Sequence, residues 1–474
     1  MSKLFPTTRI PDSAGRIKTP FLRRFAREED GMITIIAICV LLMMFMVGGI
    51  AVDLMRNEME RVRIQNTADR AVLAAADLDQ ELVPAEVVAD YFTKAGIPDR
   101  INNVTVDEGL NFRTVSVNSD SVTPTNFMRL VGVDELPLRS KATAEERVTN
   151  VEISMVLDIS GSMGSGDKMP NLQQAAKVFV DTVLRPETQD LVSISLIPYS
   201  EHVSAGQNLM SKFNVDYDQS YSYCLEFSES DFDVARMRRD KTYRQVPHFQ
   251  WGYNGYHNDV SNPVCPNGTY ESITAFSQNA TALKYQINRL QARGSTSIFA
   301  GMKWATGMLD PDFNTITQSL VNDDEVDAIF ANRPESYTDR ETLKTIILMT
   351  DGENHYSYRI ADQYYANYSH ASHWNRYNLN WYLANYVNRY YHDDFKYMKY
   401  WPSYGNQLLH SVCDAAKEKN IVIWSIGFEV EENGANVMKN CASSPSHFFR
   451  VEGVEITEAF RAIARQINQL RLTQ

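Results

Sequence analysis

The sequence predicts an α/β protein in which an N-terminal transmembrane helix continues into a helical shaft. A small α+β segment and then a doubly wound parallel sheet follow. Three observations predict this: an uncharged apolar run near the N-terminus, alternating strand and helix patterns further on, and polar residues in three of the loops between them. We expect a cytoplasmic segment, a transmembrane helix, a shaft, a linker domain and a C-terminal domain at residues 1–31, 32–52, 53–80, 81–148 and 149–474.

The composition limits the partners and the compartment. A net charge of −13 over 474 residues argues against nucleic acid, which requires a basic surface. Cys39 lies in the apolar run, and the other four cysteines follow it. Their even number favours two disulfides in an oxidising compartment, most simply Cys224–Cys265 and Cys413–Cys441. Three pairings stay open, and four buried thiols are the alternative.

The apolar run Met32–Val52 is long enough to cross a bilayer as one helix. By the positive-inside rule, the basic residues before it place the N-terminus in the cytoplasm and the remaining chain outside. A secretory signal peptide is the alternative, but it would have a shorter core and a small-residue cleavage site, whereas Asp53-Leu54-Met55-Arg56 follows here. We therefore expect an uncleaved anchor. The basic residues are Lys3, Arg9, Arg16, Lys18, Arg23, Arg24 and Arg27.

The helical pattern continues beyond the apolar run. Residues 53–79 contain no glycine or proline and are rich in helix-forming residues. Anchor and shaft together would measure roughly 70 Å at 1.5 Å per residue. One face is predicted to be apolar, formed by Leu54, Val62, Ala68, Val72 and Ala75.

Residues 30–76 resemble the N-terminal segment of TadG-like proteins of the tight adherence (Tad, or Flp) pilus apparatus. The resemblance is carried by Gly31, Val52-Asp53 and Gln65-Asn66-x-x-Asp69-x-Ala71. It implies a pilin-like helix in a bacterial inner membrane and contacts with other Tad pilus or pseudopilin components. Pilins have Glu five residues after the processed glycine, but Ile36 stands there, so processing of the N-terminus stays open.

The segment after the shaft reads as a small α+β unit that links it to the C-terminal domain. A helix is expected before Gly96 and Pro98, and alternating apolar residues then predict strands. The expected helices span residues 85–95 and 125–131, and the expected strands span 103–106, 112–117 and 136–143.

The C-terminal domain alternates strands and helices, which implies a parallel sheet with helices on both faces. In such a sheet, loops at the carboxyl ends of the strands meet at one edge, where ligands bind. We predict strands at 151–157, 191–198, 345–349 and 421–428, and helices at 171–184, 282–293, 297–309, 407–419 and 455–470.

Three of these loops carry side chains that suit a hard cation. They are Asp158-Ile159-Ser160-Gly161-Ser162, Gly294-Ser295-Thr296 and Thr350-Asp351-Gly352. Carboxylate and hydroxyl oxygens are ligands for Mg²⁺, or alternatively for Mn²⁺ or Ca²⁺. Because three of the five candidates are neutral, a bound ion would still attract an acidic group from a partner. The candidate ligands are Asp158, Ser160, Ser162, Thr296 and Asp351. The alternative is that Asp158 and Asp351 only cap turns in a metal-free fold.

The pattern D-x-S-x-S, a later Thr and a later Asp-Gly resembles the metal-ion-dependent adhesion site (MIDAS) of von Willebrand factor A and integrin I domains. The resemblance extends over about residues 149–470 and implies a Rossmann-like fold in which the five candidates hold the metal. Residues 161–168 also suggest a phosphate-binding loop. However, Asp167 occupies the position of the required lysine, which argues against a nucleotide.

Two insertions are predicted beside this site, at about residues 200–281 and 353–405. The second is rich in Tyr, Trp and His. Such rings suit the recognition of protein or sugar. They could also form the core of a helical lid, as the spacing of Tyr382, Tyr386 and Tyr390 indicates. Both interpretations stay open.

These features predict a membrane-anchored, metal-dependent binding protein of the Tad system, either a minor pilin-like adhesin or an assembly factor. Its C-terminal domain would be periplasmic or carried on the pilus at the cell surface, and would bind an acidic protein ligand or surface receptor. We expect no enzyme, because no general base is recognisable near the motifs. The alternatives are a metal-independent scaffold and a metal-dependent hydrolase.

Overall fold

The computed structural model describes residues 30–473 except 78–79, 81, 109–111, 148–149, 253–254 and 340. The predicted cytoplasmic segment, residues 1–31, lies outside the described residues apart from its last two. The chain forms two compact units, Met1–Glu146 and Arg147–Gln474.

The first unit begins with one continuous helix, α1 (Asp30–Ala76), of 47 residues. It is long and apolar enough to cross a membrane, a test that a signal sequence near the N-terminus would also pass. Its buried face differs from the prediction, because Leu54 and Val62 are about half exposed. The side chains that pack on the rest of the unit are Ile64, Ala68, Ala71, Val72 and Ala75.

Helix α1 packs against a small α+β layer made of α2 (Pro84–Lys94), β1 (Asn103–Glu108), β2 (Phe112–Pro124) and β3 (Glu135–Arg147). The sheet order is β1-β2-β3. Phe92, Val115 and Val117 are fully buried in the shared core. The helix expected at 125–131 is wrong. Only a 3₁₀ turn, Met128–Val131, forms there, because the Thr125 amide donates instead to the Asp134 carbonyl at 2.9 Å and Gly132 ends the turn in a left-handed conformation (φ 87°).

The second unit contains a six-stranded sheet. In chain order, its first elements are β4 (Asn150–Asp158), α3 (Lys168–Val183), β5 (Val192–Tyr199), α4 (Gly206–Met210), β6 (Asn214–Asp216), β7 (Leu225–Glu226), β8 (Thr242–Gln245), β9 (Thr274–Ser277), α5 (Ala280–Ile287), α6 (Ile298–Met308), α7 (Asn314–Asn322) and β10 (Thr342–Thr350). The rest are β11 (Ser357–Ile360), α8 (Tyr368–Trp374), α9 (Leu379–Tyr386), α10 (His392–Phe395), β12 (Lys396–Tyr400), α11 (Pro402–Glu418), β13 (Val422–Phe428), α12 (Glu432–Cys441), β14 (Phe448–Val451) and α13 (Glu455–Thr473).

The strand order is β14-β13-β10-β4-β5-β9, which is the doubly wound arrangement. All neighbouring pairs are parallel except β5–β9. The central strands are buried along nearly their whole length because helices cover both faces. Phe179 of α3 meets Phe460 of α13 on one face, and Trp304 of α6 is buried on the other. The predicted fold class is confirmed.

The two predicted insertions share a separate hydrophobic core beside the sheet. Val246 and Phe249 come from the first insertion, and Tyr365, Trp374 and Leu383 come from the second. The disulfides are Cys224–Cys265, which lies in this core, and Cys413–Cys441, which joins α11 to α12. Strand β9 lies inside the segment predicted as the first insertion, yet it pairs with β5 and belongs to the sheet.

Candidate metal centre

The three predicted ligand loops lie at the carboxyl edge of the sheet. Strands β4 and β10 are direct neighbours, with Leu157 opposite Met349, so Asp158 at the end of β4 lies near Asp351, which follows β10. The loop before α6 is joined to the first loop by backbone hydrogen bonds. Gly161 donates to the Gly294 carbonyl at 3.0 Å, and Arg293 donates to the Ile159 carbonyl at 2.8 Å.

Four of the five candidate ligands are connected by hydrogen bonds. The Ser160 backbone amide donates to Asp158 Oδ1 at 2.7 Å, and the Ser160 and Ser162 hydroxyl oxygens lie 3.1 Å apart. The Ser162 hydroxyl then donates to Asp351 Oδ1 at 2.6 Å. Oxygens from two separate loops therefore converge on one small volume.

Thr296 lies at the same edge, on the loop that leads into α6. It is largely buried, and its carbonyl accepts a hydrogen bond from the His355 amide at 2.9 Å. That bond connects the Thr296 loop to the segment after Asp351. Thr296 and Ser162 line one cleft.

Asp158 is fully buried and is held by neutral hydroxyl groups. Thr350 donates to its Oδ2 at 2.6 Å, and Tyr199 donates to the same oxygen at 3.3 Å. Burial raises the pKa of Asp158 to about 6, and the nearby Asp351 charge adds to that rise. Hydrogen bonds from Thr350 and Ser160 offset part of it. Two neighbouring carboxylates at this edge thus favour a compensating positive charge.

Lys168 supplies such a charge. Its Nζ lies 2.9 Å from Asp351 Oδ2 and 3.8 Å from Glu429, and its side chain is only 16% exposed. The D-x-S-x-S pattern does not include Lys168, so the sequence predicts no role for it at the metal site. Its place at the start of α3, six residues after Ser162, is the signal that could have found it.

The donor set fits a hard divalent ion. Among the described residues, no group of three or more His, Cys, Asp or Glu side chains is arranged to hold a metal. The site has instead two carboxylates and three hydroxyls, which suit Mg²⁺ better than a softer transition metal. The Lys168 ammonium group lies beside Asp351, so a divalent ion at this carboxylate would have to compete with it.

The cleft lined by Ser162 and Thr296 has a volume of about 650 Å³ and is bordered by both insertions. Trp251 comes from the first insertion, and Glu353 and His355 follow Asp351. Glu201 lies at its base and accepts hydrogen bonds from Trp251 Nε1 at 3.0 Å and from the Ser357 hydroxyl at 2.6 Å. Burial raises the pKa of Glu201 to about 7, despite these bonds and the nearby charge of Arg359.

The aromatic insertion has an inner and an outer set of rings. Tyr365 and Trp374 are buried in the core that the insertions share. Tyr386 and Tyr390 are 65% and 84% exposed. Two of the three tyrosines whose spacing indicated a lid core are therefore exposed, and the buried rings are other members of the insertion.

Residues 31–78 match a family model described as "Tad: Putative Flp pilus-assembly TadE/G-like". No curated protein matches the chain at a significant level. The family match covers helix α1 and does not extend to the candidate metal ligands.

Several solved structures are similar to part of this chain. The vWF domain of a type V pili tip protein from Porphyromonas gingivalis is 16% identical (68% of this chain, 96% of that chain, TM-score 0.36). The pilus adhesin from Streptococcus pneumoniae is 10% identical (77% of this chain, 49% of that chain, TM-score 0.34). Proximal thread matrix protein 1 from the mussel byssus, with a zinc-occupied MIDAS motif, is 12% identical (68% and 46%, TM-score 0.29). Such values carry no argument about function.

Proposed function

We propose that this chain is a membrane-anchored, metal-dependent binding protein of a Tad pilus system. It acts as a minor pilin-like adhesin or as a pilus-assembly factor. The match of residues 31–78 to the pilus-assembly family supports the pilus system, and the apolar half of α1 supports the anchor. The excess of basic residues before that anchor supports a periplasmic C-terminal domain.

The observation that carries the proposed mechanism is the hydrogen-bonded series Asp158–Ser160–Ser162–Asp351, of which Ser162 lines a cleft. With Thr296, these side chains would hold Mg²⁺, or alternatively Mn²⁺ or Ca²⁺. The bound ion supplies an electrophilic point for a carboxylate. Neutral hydroxyl donors leave it more electrophilic than an all-carboxylate site would, so it binds an acidic group of a partner protein or surface.

A metal-independent periplasmic scaffold is the second candidate. It is supported by Lys168, whose ammonium group already neutralises Asp351 without any metal. The two candidates differ in what they require of the ligands. A scaffold requires only that the carboxyl edge of the sheet folds correctly, whereas a metal-binding site also requires each of the oxygen donors.

Complementation of a deletion strain tests the proposal. Ser162 is exposed, so Ser162→Ala removes one donor and leaves the fold intact, and Ser165→Ala changes an exposed serine of the same loop as the matched control. We expect Ser162→Ala, but not Ser165→Ala, to reduce adhesion or pilus number severalfold. If both variants complement fully, the site is idle and the scaffold is favoured.

The same cells distinguish the two versions of the proposal. A minor pilin-like adhesin is recovered with sheared pili, and its Ser162→Ala variant still assembles pili that no longer adhere. An assembly factor stays in the membrane fraction, and its variant lowers the number of pili. Partners among the other Tad and pseudopilin components would be identified by crosslinking through the shaft.

A further inference from the structure

Asp53 holds a loop of the α+β layer against helix α1. Its carboxylate accepts hydrogen bonds from the backbone amides of Asn126 at 3.1 Å, Phe127 at 2.7 Å and Met128 at 2.8 Å. The side chain is only 2% exposed. Asp53 is also the first charged residue after the apolar run. The loop is therefore fixed at the point where the proposed anchor ends.

The same loop also contacts the apolar run, at Gly49. A Cβ atom at Gly49 would lie only 2.5 Å from the Phe127 ring, so the ring rests directly on the helix backbone. Gly49 precedes Asp53 by four residues, which is about one helical turn, or 5–6 Å. Phe127 consequently lies at the depth of the last turn of the proposed transmembrane helix.

The outer side of this loop is apolar and uncovered. Phe127, Leu130 and Val131 are 43%, 77% and 48% exposed. Val47 and Val52 of the proposed anchor are also exposed, and Gly49 between them contacts the Phe127 ring. Arg129, within the same loop, pairs with Asp134 at 3.3 Å, and both of these side chains are exposed. Exposed apolar side chains combined with charged ones are typical of segments that lie in a membrane interface.

We propose that the loop of residues 127–131 inserts into the interfacial layer of the leaflet from which α1 emerges. This second contact with lipid would hold the α+β layer on the bilayer surface. The inference rests on the proposed membrane anchor. The occupant is lipid, because the exposed side chains lie at the depth of the helix end, where a bilayer would surround the anchor on every free side. Asp53 and Gly49 act as positioning residues, since they fix the loop without contacting lipid themselves.

The test uses the full chain reconstituted into vesicles of phosphatidylethanolamine and phosphatidylglycerol. A fluorophore is attached to a single free cysteine, and its quenching by spin-labelled lipids reports depth. Cys39 is the free cysteine among the described residues and reports on the anchor in the native sequence. Leu130→Cys in a Cys39→Ser background reports on the loop, and the four disulfide-bonded cysteines stay oxidised.

Asp107→Cys in the same background is the matched control. Asp107 is exposed and pairs with Thr114 at the other end of the sheet. The neighbouring Arg113 donates to the Asp77 carbonyl at 2.6 Å. Asp77 lies 24 residues beyond Asp53, or about 36 Å away along the helix axis. A label at Asp107 should therefore remain in water.

We expect the label at Cys39 to be quenched by lipids that carry a deep spin label. The label at Leu130→Cys should be quenched at least twofold by lipids that carry a shallow spin label, and the label at Asp107→Cys should not be quenched. If the label at Cys39 is quenched but the label at Leu130→Cys is no more quenched than that at Asp107→Cys, the inference is wrong and the proposed anchor is still supported. That result would assign the exposed apolar side chains of the loop to a protein partner. Absence of quenching at Cys39 would refute the anchor and this inference with it.

Discussion

Lys168 and Asp351 form a largely buried ion pair at the centre of the candidate metal site. The Lys168 ammonium lies 2.9 Å from Asp351 Oδ2, while Ser162 donates to Oδ1 of the same carboxylate at 2.6 Å. Asp351 is thus shared between a hydroxyl group and a built-in cation. A divalent ion bound by these side chains would compete with the ammonium group for this carboxylate.

Replacement of that lysine should strengthen metal binding. We expect Lys168→Met to lower the dissociation constant for Mg²⁺ roughly tenfold, because a positive charge a few ångströms from the ion is removed. Calorimetric titration of the full chain in detergent measures this change. Lys177→Met is the control, since Lys177 lies on the same helix but contacts Asn288. An unchanged or weaker affinity in Lys168→Met would contradict the competition.

The pH dependence of stability should depend on Glu201. Its pKa is about 7 in the fold, against an ordinary value of 4.5. Between these values the folded state binds more protons than the unfolded chain, so the free energy of unfolding decreases as pH rises. The Glu201 contribution over this window is on the order of 3 kcal/mol.

Denaturant unfolding of the wild type and of Glu201→Gln across pH 4.5–7 measures the contribution. The glutamine side chain cannot titrate, so the other ionisable groups cancel in the difference. We expect the wild type to lose stability relative to the variant as pH rises. Parallel curves would show that Glu201 titrates at an ordinary pKa.

The disulfide Cys224–Cys265 should stabilise the shared core of the two insertions. It closes a sequence separation of 41 residues and lies among Phe249, Trp374 and Leu383. Replacing both cysteines with alanine should cost about 2–4 kcal/mol. Limited proteolysis should then cut first within 353–401. Equal protection of the insertions in both proteins would argue against this role.

Much of the sheet could be predicted, because its signal is local. Long apolar runs predict β4 and β10. Because Asp158 and Asp351 lie at the carboxyl ends of these runs, their position at one edge of the sheet could be predicted as well. Short elements carry less information. Strand β9 has four residues, and its pairing with β5 depends on contacts about 80 residues apart in sequence.

Long-range contacts account for the features that the sequence left open. No local pattern indicates that the Asp53 carboxylate accepts hydrogen bonds from three backbone amides of a loop more than 70 residues away. The same holds for Lys168, whose bond to Asp351 spans 183 positions. Which of the aromatic residues around Trp374 are buried depends on how the first insertion packs on them.

The central claim is that five oxygen-bearing side chains bind a divalent ion, and calorimetry of the folded full chain tests it most directly. Titration with Mg²⁺ should show saturable binding of one ion that Ser162→Ala weakens and Ser165→Ala leaves unchanged. If the folded chain shows no binding of Mg²⁺, Mn²⁺ or Ca²⁺, the proposed mode of recognition is wrong.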